Sequence, residues 1–146
     1  MIAYLDSSVL ARAYLADEDG HDAAAALLED PEVATLTGTW SRIEVSGALV
    51  RAARAGCTDV ARLLALLDQD LDPDGPVTLV AADQGEVEGR ALELVRTHGL
   101  RAMDAWHLAV ALIAGPALLE GGERMAFATR DDEQAAVAEH LGFARL

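Results

Sequence analysis

The chain has one cysteine, Cys57, and no lysine, and aromatic residues make up only 4% of it. A single cysteine excludes both an intrachain disulfide and a cluster of thiolate metal ligands. Since 52% of the residues are hydrophobic, a core with so few aromatic rings must consist mainly of Ala, Leu and Val. The length of 146 residues predicts a single domain, residues 1–146.

Long hydrophobic runs are also missing. The longest uncharged stretch, residues 105–119, is interrupted by His107 and Gly115-Pro116, so it is too short and too broken to span a membrane. No basic segment precedes the apolar N-terminus, which therefore does not indicate a signal peptide. We expect a cytoplasmic protein without a membrane association.

The charge is strongly one-sided, with a formal net charge of −14 and all 11 basic residues arginine. Such a surface repels phosphates at long range, so a nucleic-acid substrate would need a local basic patch or metal ions. The same surface would attract a basic protein partner.

Short apolar runs alternate with longer helical patterns. Strands are predicted at residues 2–5, 33–36, 77–80, 125–128 and 143–145, and helices at residues 8–16, 22–29, 40–55, 59–70, 84–98, 105–114 and 132–141. A turn is predicted at Asp72-Pro73-Asp74-Gly75-Pro76. This alternation predicts one three-layer α/β/α domain with a mostly parallel central sheet.

Four acids, Asp6, Glu44, Asp104 and Asp131, stand where strands end or helices begin. In a parallel α/β sheet, the carboxyl ends of the strands and the starts of the following helices share one edge, where ligands bind. Four carboxylates brought to that edge require a cation, which indicates a metal-dependent enzyme.

Each acid also has a structural explanation. Asp6 could cap the first helix, Asp104 could cap a helix that begins at Ala105, and Ser41-Arg42-Ile43-Glu44 and Asp131-Asp132-Glu133-Gln134 both match the capping box. Capping alone does not require so many acids to converge, so the four together favour a metal site.

Other polar residues lie close to the acids in sequence. The hydroxyls are Ser7, Ser8 and Thr129, and the arginines are Arg12, Arg42, Arg101 and Arg130. The hydroxyls could orient a carboxylate or bond to the local backbone, and the arginines could contact phosphates or remain solvated. His107 follows Asp104 by one helical turn among apolar neighbours. We expect it to pack structurally, with a role as a base as the alternative.

The order of these motifs resembles the PIN-domain ribonucleases, and among them the VapC-type toxins of bacterial toxin–antitoxin pairs. The resemblance covers the whole chain and rests on four segments: Tyr4-Leu5-Asp6-Ser7-Ser8, Ser41-Arg42-Ile43-Glu44-Val45, Met103-Asp104-Ala105-Trp106-His107 and Thr129-Arg130-Asp131.

The resemblance implies a metal-dependent endoribonuclease that uses Mg²⁺, or Mn²⁺, at a cluster of acids. Asp6, Glu44 and Asp104 match the family's three main acids, and Asp131 matches a fourth, with Asp132 beside it as an alternative ligand. It also implies an RNA substrate, a cognate basic antitoxin, and assembly as a homodimer or a toxin–antitoxin hetero-oligomer. In this mechanism Arg12, Arg42 or Arg130 would position the scissile phosphate.

Two other functions remain open from the sequence. A phosphoryl-transfer domain on a similar sheet fits poorly, because a response-regulator receiver needs an acidic pair after the first strand and a later lysine, whereas this chain has one acid there, Asp6, and no lysine. A haloacid-dehalogenase-type phosphatase needs a second Asp at position 8, which is Ser8. A non-catalytic PIN-like binding module would be distinguished only by an activity assay.

Overall fold

The computed structural model describes residues 1–56, 59–121 and 123–146; Cys57 lies outside the described residues. The strands are β1 (Ile2–Leu5), β2 (Ala34–Gly38), β3 (Val77–Val80), β4 (Met125–Ala128) and β5 (Ala144–Arg145). They form a sheet in the order β3-β2-β1-β4-β5, and every pairing in the described part of the chain is parallel. The predicted α/β class with a mostly parallel sheet is confirmed.

Helices connect the strands and cover the sheet. They are α1 (Ser7–Tyr14), α2 (His21–Glu29), α3 (Ser41–Arg54), α4 (Val60–Asp70), α5 (Gln84–His98), α6 (Ala102–Ala114) and α7 (Asp132–His140), with a short 3₁₀ helix at Gly115–Leu118. Gly99 ends α5 in the left-handed region, with φ of 73°, which glycine adopts without a Cβ penalty. None of the described helices is long and apolar enough to cross a membrane.

Side chains of alternate residues in the strands enter two hydrophobic cores, one on each face of the sheet. Ala3 and Leu5 of β1 pack with the cluster that includes α1, α3 and α4. Tyr4, from the same strand, packs with the cluster that includes α5, α6 and α7. Both faces of β1 are therefore buried, which explains its continuous apolar sequence.

The strand order places the carboxyl end of β1 at the centre of one edge of the sheet. The chain leaves β1 toward β2 on one side and later returns to β4 on the other. This reversal is the switch point at which open α/β sheets bind ligands. Asp6 stands there, and its backbone amide donates to the Ala128 carbonyl at 3.0 Å.

Some predicted boundaries were wrong. The second strand ends at Gly38 rather than at residue 36, because it continues to pair with β3 at Gly38 and Val80. The last strand begins at Ala144, one residue later than predicted. The sixth helix begins at Ala102 rather than at residue 105, because Arg101 takes the extended N-cap conformation. The turn before β3 is confirmed, since the Gly75 amide donates to the Asp72 carbonyl at 2.8 Å.

Candidate active site

Asp6 is buried, with 4% of its surface exposed, and its carboxylate is fixed by donors from two elements. One oxygen, Oδ1, accepts the Ser8 amide at 2.5 Å and so caps α1. The other, Oδ2, lies 2.7 Å from the Thr129 hydroxyl and 3.2 Å from the Ser8 hydroxyl. Both roles left open for the hydroxyls are seen, since Ser8 and Thr129 contact this carboxylate and also accept backbone amides, from Arg130 at 3.3 Å and from Asp131 at 3.1 Å. Asp6 therefore has a defined orientation at the junction of β1 and β4.

Glu44 contacts the buried His107 ring rather than closing a capping box at the start of α3. The N-cap of α3 is Trp40, which has no side-chain cap bond, so the predicted Ser41–Glu44 box is wrong. The Ser41 hydroxyl bonds to that of Thr37 at 2.6 Å. One oxygen of Glu44, Oε2, lies 2.7 Å from Nε2 of His107. The partner that decides the orientation of Glu44 is therefore on α6.

His107 links Glu44 to Tyr4. Its ring is almost fully buried, and its Nδ1 lies 2.9 Å from the Tyr4 hydroxyl. Burial raises the pKa of Tyr4 well above its usual value, and the charges of Asp6 and Glu44 raise it further. The hydroxyl therefore keeps its proton and can donate to Nδ1, which leaves Nε2–H to donate to Glu44. The expected structural packing of His107 is confirmed, and it also orients an acid.

Asp104 and Asp131 are joined by Arg101. The Arg101 Nε donates to Oδ2 of Asp104 at 3.0 Å, and its terminal nitrogen donates to Oδ2 of Asp131 at 2.5 Å. Asp104 lies in the first turn of α6, so the prediction that it caps this helix is wrong. Burial raises the pKa of Asp104; Arg101 opposes this rise, and the charges of Asp6 and Asp131 add to it.

Asp131 caps α7, as predicted, because its Oδ1 accepts the Gln134 amide at 2.9 Å. This bond lowers the pKa of Asp131, and Arg101 lowers it further. The reciprocal half of the predicted capping box is wrong. The buried Gln134 side chain instead donates from Nε2 to the Asp104 carbonyl at 3.0 Å, and its Oε1 lies 2.5 Å from the Thr129 hydroxyl. Gln134 therefore ties α7 to α6 beneath the acids, a contact that the sequence analysis missed.

Asp132 and the other nearby arginines are engaged elsewhere. Asp132 is 93% exposed and pairs with Arg145, so Asp131 is the acid of this pair that lies with Arg101 and Asp104. Pairs that involve the other arginines are Arg12 with Glu18 at 2.7 Å, Arg130 with Asp19 at 3.4 Å and Arg42 with Asp68 at 3.7 Å. Among the arginines considered from the sequence, Arg101 is the one that bonds to two of the four acids.

Three of the acids influence one another: Arg101 joins Asp104 to Asp131, and the charges of Asp6 and Asp131 add to the raised pKa of Asp104. Glu44 is connected to them through His107, on the helix that carries Asp104. Within the described residues, no three acidic, histidine or cysteine side chains already form a metal-binding group. The donor set, carboxylate oxygens alone, is nevertheless the one that Mg²⁺ and Mn²⁺ prefer. A cation would also relieve the repulsion from Asp6 and Asp131, which adds to the rise that burial causes in the pKa of Asp104.

An apolar groove of about 640 Å³ has a lining that includes Trp40, Met103 and Trp106. The two indole rings lie 5.8 Å apart between centroids. A Cβ on Gly38 would lie 2.7 Å from both the Trp106 ring and the Tyr4 hydroxyl. The absent side chain at Gly38 therefore allows Trp106 to pack at the end of β2.

A family model of the PIN domain matches residues 3–140. The chain belongs to the PIN-domain family. The resemblance seen in the four sequence motifs is thus confirmed at the level of the family. None of the curated proteins matches this sequence significantly.

Three solved structures with the same fold align with almost the whole chain. VapBC2 from Rickettsia felis, bound to a promoter DNA fragment, has a TM-score of 0.61 and 12% identity over 100% of this chain and 98% of that one. VapC20 from Mycobacterium tuberculosis, described as a Sarcin-Ricin loop cleaving toxin, has a TM-score of 0.61 and 21% identity over 97% of this chain and 96% of that one. FitAcB from Neisseria gonorrhoeae has a TM-score of 0.54 and 16% identity over 100% of this chain and 96% of that one.

Proposed function

We propose that this PIN domain is a divalent-metal-dependent endoribonuclease, with Mg²⁺ or Mn²⁺ as the ion, and that it acts as the toxin of a toxin–antitoxin pair. The observation that carries the nuclease proposal is the linkage of three acids at one edge of the sheet: Thr129 bonds to Asp6 and to the Asp131 amide, and Arg101 joins Asp131 to Asp104. The fourth acid, Glu44, is held by His107 on the same helix as Asp104. The structural likeness to VapC20, a toxin that cleaves RNA, supports the same reaction class.

In this proposal the four acids hold one or two ions, directly or through water. Bound ions in such sites activate the attacking water and stabilise the leaving oxygen of a phosphodiester. The chain itself supplies orientation: Ser8 and Thr129 fix Asp6, and His107 fixes Glu44. No side-chain nucleophile is required.

Substituting the acids tests the nuclease proposal. Asp6→Asn and Asp104→Asn keep side-chain volume but remove a ligand charge, so cleavage of single-stranded and structured RNA should fall by at least about 100-fold, since even outer-shell changes cost about 10- to 100-fold. Asp132→Asn is the matched control, because Asp132 is 93% exposed and pairs with Arg145. Wild-type cleavage in the two site variants, with circular dichroism showing an intact fold, would reject the proposal.

Metal binding can be measured without any substrate. An ion that binds only the folded site at 100-fold its Kd should stabilise the domain by roughly 2.7 kcal/mol, which raises its Tm by several degrees. Asp6→Asn should reduce this rise, whereas Asp132→Asn should not. Equal rises in the wild type and Asp6→Asn would place the ion elsewhere, for instance near the acidic segment 68–74.

The proposed partner is a cognate basic antitoxin, in a toxin–antitoxin hetero-oligomer or with a toxin homodimer. Two of the structurally similar proteins were solved as such pairs, VapBC2 and FitAcB. The net charge of −14 favours a partner whose arginines pair with Asp6, Glu44 or Asp104, since Arg–carboxylate bonds are strong and often bidentate.

The alternative is that the partner binds an apolar surface formed by the early helices, with charge contributing little. A cavity of about 350 Å³ lies between the end of α1 and the α3–α4 pair, lined by residues such as Tyr14, Ala52 and Leu66. If charge dominates, the on-rate should fall between about 50 and 500 mM salt, as the Debye length shrinks well below about 15 Å. A flat on-rate, with unchanged inhibition by a partner lacking its arginines, would favour the apolar cavity instead.

A further inference from the structure

Within the part of the chain that the structure describes, Arg101 is the arginine whose guanidinium bonds to two of the four acids. It extends from the N-cap of α6 and joins acids from two helices, Asp104 at 3.0 Å and Asp131 at 2.5 Å. Its side chain is 77% exposed. The guanidinium is therefore held by charge and hydrogen bonding rather than by packing.

We propose that Arg101 is an internal cation that a divalent ion displaces from Asp104 and Asp131, and that the displaced guanidinium then binds a phosphate of the RNA strand. The inference rests on the proposed nuclease function. It adds a role for Arg101, whose guanidinium binds the acids in the metal-free site and the substrate once an ion is bound.

The competition follows from charge and from shared acceptor oxygens. Oδ2 of Asp104 and Oδ2 of Asp131 both accept hydrogen bonds from Arg101, and an ion would need carboxylate oxygens of the same two residues at about 2.0–2.6 Å. A guanidinium beside a divalent ion is also repelled by it. Arg101 accordingly lowers the affinity of the site for metal while keeping the metal-free acids paired.

The size of this competition is modest, because both ion pairs are open to solvent. Each solvent-exposed pair contributes little, so we expect the need to break both pairs to weaken metal binding by about three- to ten-fold.

Arg101 is also the arginine best placed to meet the substrate. The side chains of Arg12, Arg42 and Arg130 are paired with other acids, Glu18, Asp68 and Asp19 respectively. Once released, the exposed Arg101 remains anchored directly before α6, beside the cluster that would hold the scissile phosphate. A guanidinium binds phosphate through two parallel hydrogen bonds, which lysine cannot reproduce.

The test compares Arg101→Gln, Arg101→Lys and the control Arg90→Gln. Arg90 likewise pairs with an acid three residues along its helix, Glu93. Mn²⁺ affinity is measured by titration without RNA, and KM for a short oligoribonucleotide at saturating Mg²⁺. Arg101→Gln should bind Mn²⁺ about three- to ten-fold more tightly, yet show a higher KM with a salt dependence weaker by nearly one phosphate contact. Arg101→Lys should bind Mn²⁺ as the wild type does and show a raised KM, and Arg90→Gln should change neither value.

The outcomes separate this inference from the proposed function. If Arg101→Gln binds Mn²⁺ within two-fold of the wild type while Asp6→Asn binds it more weakly, the displacement is refuted and the nuclease proposal stands. If Mn²⁺ binding tightens but KM and its salt dependence do not change, the phosphate contact is refuted. If Asp6→Asn leaves Mn²⁺ binding unchanged, the ion binds elsewhere and both proposals fail.

Discussion

His107→Leu tests whether the buried hydrogen-bond chain from Tyr4 to Glu44 supports both stability and activity. The substitution replaces the imidazole by an apolar side chain of similar size and so removes both ring nitrogens. The Tyr4 hydroxyl loses its contact at 2.9 Å, and Glu44 loses its contact at 2.7 Å. Tyr4 is fully buried, whereas the Glu44 side chain is 27% exposed, so Glu44 can recover water and Tyr4 cannot.

The expected loss of stability comes mainly from Tyr4. A buried polar group that loses its partner costs about 1–3 kcal/mol, and the lost ring contacts of His107 with Tyr4 and Trp106 add up to about 1 kcal/mol. The free energy of unfolding should therefore fall by about 2–4 kcal/mol. For a domain of this size the Tm should fall by roughly 5–15 °C.

A double-mutant cycle in urea identifies the source of that loss. Tyr4→Phe alone should cost about 1 kcal/mol, the net value of a hydrogen bond. In the His107→Leu background the same change should cost nothing or stabilise, because it removes the hydroxyl that has lost its partner. We expect a coupling free energy of about 1–2 kcal/mol between the two positions.

The activity of His107→Leu should fall by about 10- to 100-fold under conditions where the protein is folded, because Glu44 loses the group that orients it. Additive effects of Tyr4→Phe and His107→Leu, to within about 0.5 kcal/mol, would refute the hydrogen-bond account. Full activity in the folded His107→Leu variant would refute the role of His107 in positioning Glu44.

Three further expectations concern single side chains. Asp131→Ala should lower the free energy of unfolding by about 1 kcal/mol, whereas Asp131→Asn, an equally good N-cap, should change it little; urea unfolding would reveal the difference, and equal losses would contradict the cap. Asp104 has a raised pKa in the folded protein, so its contribution to stability is greatest below the unfolded value of about 3.9 and is lost as pH rises through the folded pKa. Asp104→Asn should therefore raise the metal-free Tm relative to the wild type more at about pH 7 than at about pH 4, and a pH-independent difference would contradict this. Gly38→Ala should cost about 1–3 kcal/mol, because its Cβ would overlap the Trp106 ring, and unchanged unfolding would show that the ring relocates freely.

The sequence allowed the sheet and its edge to be predicted because their signals are local. The apolar run before Asp6 needed no knowledge of distant contacts to predict a buried strand, and β1 has the predicted bounds. The N-caps at Asp6 and Asp131 were equally local, since each carboxylate bonds to an amide two or three residues later. Strands and N-caps that depend only on adjacent residues can therefore be predicted without knowledge of the tertiary structure.

The contacts that shape the candidate site were not predictable in this way. Glu44 and His107 are 63 residues apart, and Arg101 and Asp131 are 30 apart. At Glu44 the local capping-box pattern predicted the wrong partner, because the Ser41 hydroxyl bonds to Thr37 and the Glu44 carboxylate meets the His107 ring instead. Only the tertiary structure, which brings the start of α3 to α6 and places α6 beside α7, decides which carboxylate meets which partner.

The capping and metal-binding explanations of the acids do not exclude each other, because they use different oxygens of the same carboxylate. In Asp131, Oδ1 caps α7 while Oδ2 bonds to Arg101. In Asp6, Oδ1 accepts the Ser8 amide while Oδ2 lies beside Thr129. A helix N-terminus stabilises a nearby negative charge, and the cap bond to the Gln134 amide lowers the pKa of Asp131, so α7 helps to keep Asp131 ionised. The fold can therefore keep negative charge at the edge of the sheet before any ion binds, with Arg101 as the counter-ion that the chain itself provides.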